Sequence, residues 1–90
     1  MAVLSLPATL THAQASECRA RLVQAMAGTQ DRVVLIDASP LQSFDSSALA
    51  VLLACRREAV RLGRQLQVQG LSPRLQVLAS LYGVQTLLEP

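Results

Sequence analysis

The sequence predicts a small α/β domain with a mixed, mostly parallel sheet and three main helices. Three observations predict it. Strand-like and helix-like segments alternate along the chain, the pattern of a layered α/β fold. Val33, Val34, Leu35 and Ile36 form an unbroken apolar run bounded by polar residues. Such a run reads as a strand covered on both faces, which implies parallel neighbours. Gly28, Gly63, Gly70 and Gly83 fall where successive elements should stop.

Size and composition fit one such domain, residues 1–90. Apolar residues make up 51% of the 90-residue chain. That share favours a packed globule over disorder, although a chain this short buries only about 60% of its unfolded surface. The longest apolar run, Ala48 to Cys55, is eight residues, far short of the roughly 20 that span a bilayer. Direct membrane insertion is therefore not expected. The segment from Met1 to Leu10 has no Lys or Arg and meets Pro7 early, unlike a secretory signal. A cytoplasmic location is the expectation.

The elements follow in order. Val3, Leu4 and Leu6, stopped by Pro7, read as an edge strand. Thr11 and Gln14 make a capping box for a helix over 12–27. Ala15, Cys18, Leu22 and Ala25 give that helix its core face, and Glu17 is placed to pair with Arg21. The central strand ends at Asp37, and a loop containing Pro40 leads to Asp45, a good N-cap. A second helix is expected over 46–62, closed by Gly63. Leu66 and Val68 alternate with Gln65, Gln67 and Gln69 as a half-wet strand. Ser72 and Pro73 form an N-cap and N1 pair for a third helix over 73–82, with Leu75, Leu78, Ala79 and Tyr82 inward. Val84 to Leu88 reads as either a last strand or a packed coil. The sheet expected from this order has four strands or nearly four.

Composition excludes several functions. Net charge is +2, every basic residue is Arg, and Trp is absent. That is a weak footprint for duplex nucleic acid and offers no stacking platform for single strands. No nucleotide-binding glycine motif and no nucleophile elbow is present. Cys18, Cys55 and the single His12 do not complete a metal site and read as two buried thiols and a surface imidazole. Asp37 and Asp45 each have an ordinary local role, as a strand end and a cap. No catalytic residue, cofactor or metal is expected.

One segment stands out, Phe44-Asp45-Ser46-Ser47-Ala48-Leu49. It sets two hydroxyls in the first turn of a helix, where unpaired amides and the helix dipole would favour an added phosphate. Ser46 and Ser47 are thus candidate phosphorylation sites, or simply good first-turn residues. The helix that follows is apolar on two stripes. Ala48, Leu52, Cys55, Ala59 and Leu62 form one, and Leu49, Leu53 and Val60 the other. A single core uses one stripe. The second is either a partner surface or lies under the third helix. Arg57, Arg61 and Arg64 add a basic stripe.

The strand Val33 to Asp37, the short loop, and the run Asp45-Ser46-Ser47 opening an apolar helix together resemble the STAS domain family. That family includes anti-sigma factor antagonists and the C-terminal domains of sulfate transporters. Within it, the opening Leu6-Pro7-Ala8-Thr9-Leu10-Thr11 and the short length are most similar to MlaB-type subunits of phospholipid ABC transporters. The resemblance implies a non-enzymatic accessory subunit. It would bind an MlaF-like ATPase in complex with a permease, peripheral to the inner membrane. It places the contact at Asp45, Ser46, Ser47, Leu49, Leu53 and Arg57. The alternative it implies is an anti-sigma factor antagonist, with Ser46 or Ser47 phosphorylated by an anti-sigma factor serine kinase. A Gly commonly follows the motif in this family. Here it is Ala48, whose Cβ would add bulk beside the hydroxyls.

Overall fold

The computed structural model describes residues 1–87. Its elements run β1 (Ala2–Ser5), β2 (Thr9–Leu10), α1 (His12–Ala27), β3 (Val33–Asp37), β4 (Ser43–Phe44), α2 (Ser47–Arg61), β5 (Gln65–Gln69) and α3 (Pro73–Leu81), with a 3-10 turn at Gln85–Leu87. The expected three helices and strands are present. Val84 leads into the 3-10 turn rather than a last strand, and Leu88 lies outside the described residues.

The sheet differs from expectation in two ways. It has three strands in the order β1-β3-β5, and every described pairing is parallel. The fourth contribution is a separate parallel pair, β2 with β4, which matches Thr9 to Ser43 and Leu10 to Phe44. Sequence patterning missed both β2 and β4 because two residues carry no periodicity.

Parallel neighbours in chain order need two crossovers, α1 and then α2. Right-handed crossovers put both helices on one face of the sheet. Val34 and Ile36 point into that face and are fully buried, with Leu22, Met26, Leu52 and Cys55 opposite. Among the described residues the opposite face carries no helix stripe: Val3, paired with Leu35, is 57% exposed. The expectation of a strand covered on both faces is thus corrected. Leu35 is shielded by its cross-strand neighbours Val3 and Gln67 instead.

Most local signals hold. Thr11 N–H donates to Gln14 Oε1 at 2.9 Å, and Ser72 Oγ accepts from Leu75 N–H at 3.2 Å. Gly70 sits at φ +75°, where a Cβ would meet the Ser39 amide nitrogen at 2.9 Å. Both the conformation and the close approach require glycine there. Three expectations fail. In the last turn of α1 Met26 is the fully buried residue, and Ala25 is only half-buried. Arg21 donates to the Ser5 carbonyl at 3.3 Å and forms no ion pair with Glu17. Tyr82 is 61% exposed rather than in the core, since α3 ends at Leu81 and the chain turns outward at Gly83, φ +69°.

Candidate functional site

The β2–β4 pair decides where the Asp45 motif lies. By pairing Leu10 with Phe44, it brings the starts of α1 and α2 side by side. Asp45 then serves both. Its Oδ1 accepts from Ser47 N–H at 2.8 Å, and its Oδ2 accepts from His12 N–H at 3.1 Å. One carboxylate therefore caps two helices whose positive ends converge on it. The Ser47 amide hydrogen bond, with a smaller contribution from His12, holds the Asp45 carboxyl below its ordinary value against a modest desolvation cost. The helix proper starts at Ser47, one residue later than expected, so its N-cap is Ser46, whose side chain makes no capping bond, and Asp45 takes the first-turn amide from one residue before the cap.

This arrangement separates the two hydroxyls. Ser47 is half-buried, and its amide is held by Asp45 at 2.8 Å. Ser46 is exposed, and its hydroxyl makes no hydrogen bond among the described residues. Of the pair, Ser46 is the group presented outward.

The apolar stripes of α2 sort less simply than the sequence suggested. Ala48, Leu52, Cys55 and Ala59 face the sheet, all at 1% exposure or less. Val51 and Ala54 are also buried and border the groove with α1. Leu49 is 3% exposed, so its expected exposure is corrected: it floors a shallow cavity beneath Tyr82 and Val84. Leu53, Ala50 and Arg57 follow Ser46 along the open side of the helix. Ala48 points into the core, so its Cβ adds no bulk beside Ser46.

The basic stripe also dissolves. Arg61 is held by Glu58 on its own helix, and Arg64 bends back to the Thr29 carbonyl. Only Arg57 of the three is exposed without a partner among the described residues. Cys18 and Cys55 are both buried and unbridged. Desolvation, reinforced by the neighbouring Cys18, pushes the Cys55 thiol up to about 12, which leaves it unreactive at neutral pH. No three metal-ligating side chains converge among the described residues.

A surface the sequence did not mark adjoins Ser46. Phe44, Pro73, Val77, Leu78, Leu81 and Tyr82 line an open groove of about 620 Å³ that ends at Asp45 and Ser46. A second cavity of about 310 Å³ shares Ser46 and Tyr82 with it and runs along Leu49, Ala50 and Leu53. Arg74 lies over the Phe44 ring at 5.1 Å and so ties α3 to β4. The available signal was the spacing of Arg74, Val77, Leu78 and Leu81 along α3, which repeats a helical face opposite Leu75 and Ala79.

A family model described as "Mlab, STAS domain" matches residues 1–89. The chain belongs to the STAS domain family. Solved STAS structures share its fold. An anti-sigma-factor antagonist (STAS) domain protein from Planctomyces limnophilus aligns at TM-score 0.80 and 22% identity, covering 97% of this chain and 78% of that one. The anti-sigma factor antagonist SpoIIAA in its unphosphorylated form gives 0.75 and 20%, covering 93% and 73%. A sulfate transporter family protein from Wolinella succinogenes gives 0.75 and 16%, covering 97% and 70%. No curated protein sequence matches. In this STAS domain the Asp45-Ser46-Ser47 turn stands at the start of α2, and no described helix is long and apolar enough to cross a membrane.

Proposed function

We propose that this STAS domain is a non-catalytic accessory subunit that binds, and stabilises or activates, the ATPase of an Mla-type ABC transporter. Such a transporter moves phospholipids and maintains outer-membrane lipid asymmetry, and the subunit would sit peripheral to the inner membrane through the complex. The observation that carries this reading is Ser46. Its hydroxyl is exposed and unspent at the lip shared by two apolar cavities, in a chain that an MlaB-type model matches over residues 1–89. An exposed apolar surface with one polar group at its centre is the make-up of a protein contact. Asp45 and Ser47 build the turn; Ser46, Leu53 and Arg57 face the partner, while Leu49 supports them from below.

The second reading, a switch phosphorylated by an anti-sigma factor kinase, draws on the same exposed hydroxyl and on the likeness to SpoIIAA. Electrostatics favours the first. The amide of α2's first turn that would receive a phosphate is already taken by the Asp45 carboxylate, and a phosphate on Ser46 would meet that like charge.

The test is co-purification of the chain with the ATPase encoded beside it. Ser46→Arg and Leu53→Arg, both on the open side of α2, should abolish recovery of the ATPase while thermal unfolding stays near that of the wild type. Leu49→Arg is a poor probe because it buries a charge. Full recovery of the ATPase by both folded variants would count against the reading. Intact mass of protein from the native host separates the alternatives: a major species about 80 Da heavier, mapped to Ser46, supports the switch.

A further inference from the structure

A third depression, of about 370 Å³, runs between α1 and α2 and shares only Ala50 with the two cavities that meet at Ser46. Small side chains floor it, Ala15 from α1 with Ala50 and Ala54 from α2. Arg19 lines it from α1 and Arg57 from α2. Ser16, one turn before Arg19 on the same helix face, adds an exposed hydroxyl. Both helices are crossovers between parallel strands, so they run in the same direction. That places the two guanidiniums toward the same end of the groove. Arg19 leans toward α2, where its charge is the smallest influence on the Cys55 thiol and the Glu58 carboxyl, lowering each.

The charge in this groove is unbalanced. Neither Arg19 nor Arg57 forms a hydrogen bond or ion pair among the described residues. No carboxylate lines the groove among the described residues. Glu58, which feels Arg19, gives both of its oxygens to Arg61. Two like charges that share one groove repel, and the alanine floor offers them no acceptor. What remains is a set of unspent donors, two planar guanidinium forks on opposite walls and one hydroxyl. Donor geometry selects the ligand. A planar carboxylate satisfies a single fork edge-on, whereas a tetrahedral phosphate presents oxygens to two forks that approach from different directions.

We propose that the α1–α2 groove binds a phosphate group, of a soluble phosphate ester or of an anionic lipid headgroup, between Arg19 and Arg57 with the Ser16 hydroxyl as a further donor. The alanine floor admits the phosphate close to both helices, where a longer side chain would hold it off. The site does not depend on the accessory-subunit reading. Arg57, which that reading turns toward the ATPase, lines this groove and neither cavity at Ser46. The experiment therefore uses the chain alone.

NMR titration of the isotope-labelled chain at fixed ionic strength tests this, read at the arginine side-chain Nε–H signals. Inorganic phosphate and glycerol 3-phosphate should shift the Arg19 and Arg57 signals saturably, with a Kd of about 1 mM or tighter. The Arg32 and Arg74 signals should stay in place. Arg19→Gln and Arg57→Gln should each weaken binding about tenfold, and Ser16→Ala a few-fold. All three positions are exposed, so the melting temperature should hold. Arg32→Gln, exposed at the head of β3, should bind as the wild type does. Vesicles of phosphatidylglycerol in phosphatidylcholine separate the two sources. Cosedimentation that inorganic phosphate competes away assigns a lipid headgroup, and binding of glycerol 3-phosphate without cosedimentation assigns a soluble ester; both support the site. Shifts that grow without saturation at every arginine alike mean charge screening and overturn it, as does wild-type affinity in Arg19→Gln and Arg57→Gln. Acetate or a triglutamate peptide binding as tightly as phosphate overturns the ligand class.

Discussion

Two aspartates in this STAS domain make the same local turn and serve opposite ends. Asp37 closes β3, and its Oδ1 accepts from Ser39 N–H at 3.0 Å. Asp45 precedes α2, and its Oδ1 accepts from Ser47 N–H at 2.8 Å. In each case a carboxylate takes the amide two residues ahead, the ordinary Asx turn. Their surroundings divide them. The Asp37 turn is roofed by Gly70, whose missing Cβ lets β5 close against it. Ala38 N–H then donates to the Gln69 carbonyl at 2.8 Å and locks the strand ends together. The Asp45 turn has no such roof. Its second oxygen reaches across to α1, and Ser46 is left facing water. The lesson is that an Asx turn specifies a local bend, while the element packed over it decides whether it is a clasp or a contact surface.

The largest expected effect breaks the clasp. Gly70→Ala places a Cβ at positive φ and within 2.9 Å of the Ser39 backbone nitrogen. Chemical denaturation should show a loss of about 1–3 kcal/mol. Unchanged stability would mean that the roof is not tight and that the two turns differ less than their geometry indicates.

An intermediate effect uses acid to compare the turns. Both carboxyls are held below the ordinary value of 3.8, Asp37 first by the Ser39 side-chain hydrogen bond and Asp45 first by the Ser47 amide. A lowered folded pKa contributes stability that is fully present above the unfolded value. It is lost as pH falls through the folded one. Asn keeps the Asx turn but does not titrate. The melting curve of Asp37→Asn should therefore lie below the wild type at neutral pH and converge on it as pH falls below about 3.8, whereas Asp45→Asn, which keeps one acceptor oxygen and leaves the His12 N–H without a partner, should show a gap that narrows over the same range without closing. A gap that stays constant with pH would show that charge plays no part in either turn.

The smallest effect is the sharpest contrast. Ser46→Ala removes an exposed hydroxyl with no partner inside the chain. Its stability should stay within about 0.5 kcal/mol of the wild type. A larger loss in urea unfolding would place Ser46 in the fold rather than at its surface.

What the sequence determined by itself was everything that rests on local chemistry. Val33 to Ile36 read as a strand because the run is short, rich in β-branched residues and bounded by polar groups, whereas the longer apolar run from Ala48 to Cys55 is a helix. Thr11, Ser72 and Pro73 fixed helix starts through single hydrogen bonds and a preset φ, and Gly63, Gly70 and Gly83 fixed the bends by accepting positive φ. The Asp45-Ser46-Ser47 turn was visible as a site for the same reason. The tertiary structure decided what covers what. Leu49 and Leu53 lie on one sequence stripe, yet Leu49 is buried and Leu53 is half open, because α1, Tyr82 and Val84 close over α2 unequally. Tyr82 fits the helical spacing of α3's core yet lies outside, because the helix ends one residue before it. The bond from His12 to Asp45 joins residues 33 apart in sequence, and it exists only because two-residue strands pair beside it. Periodicity records which residues share a face. Which face meets water is set by the right-handed crossovers and by the pairing of distant strands, and neither leaves a mark in any short stretch of sequence.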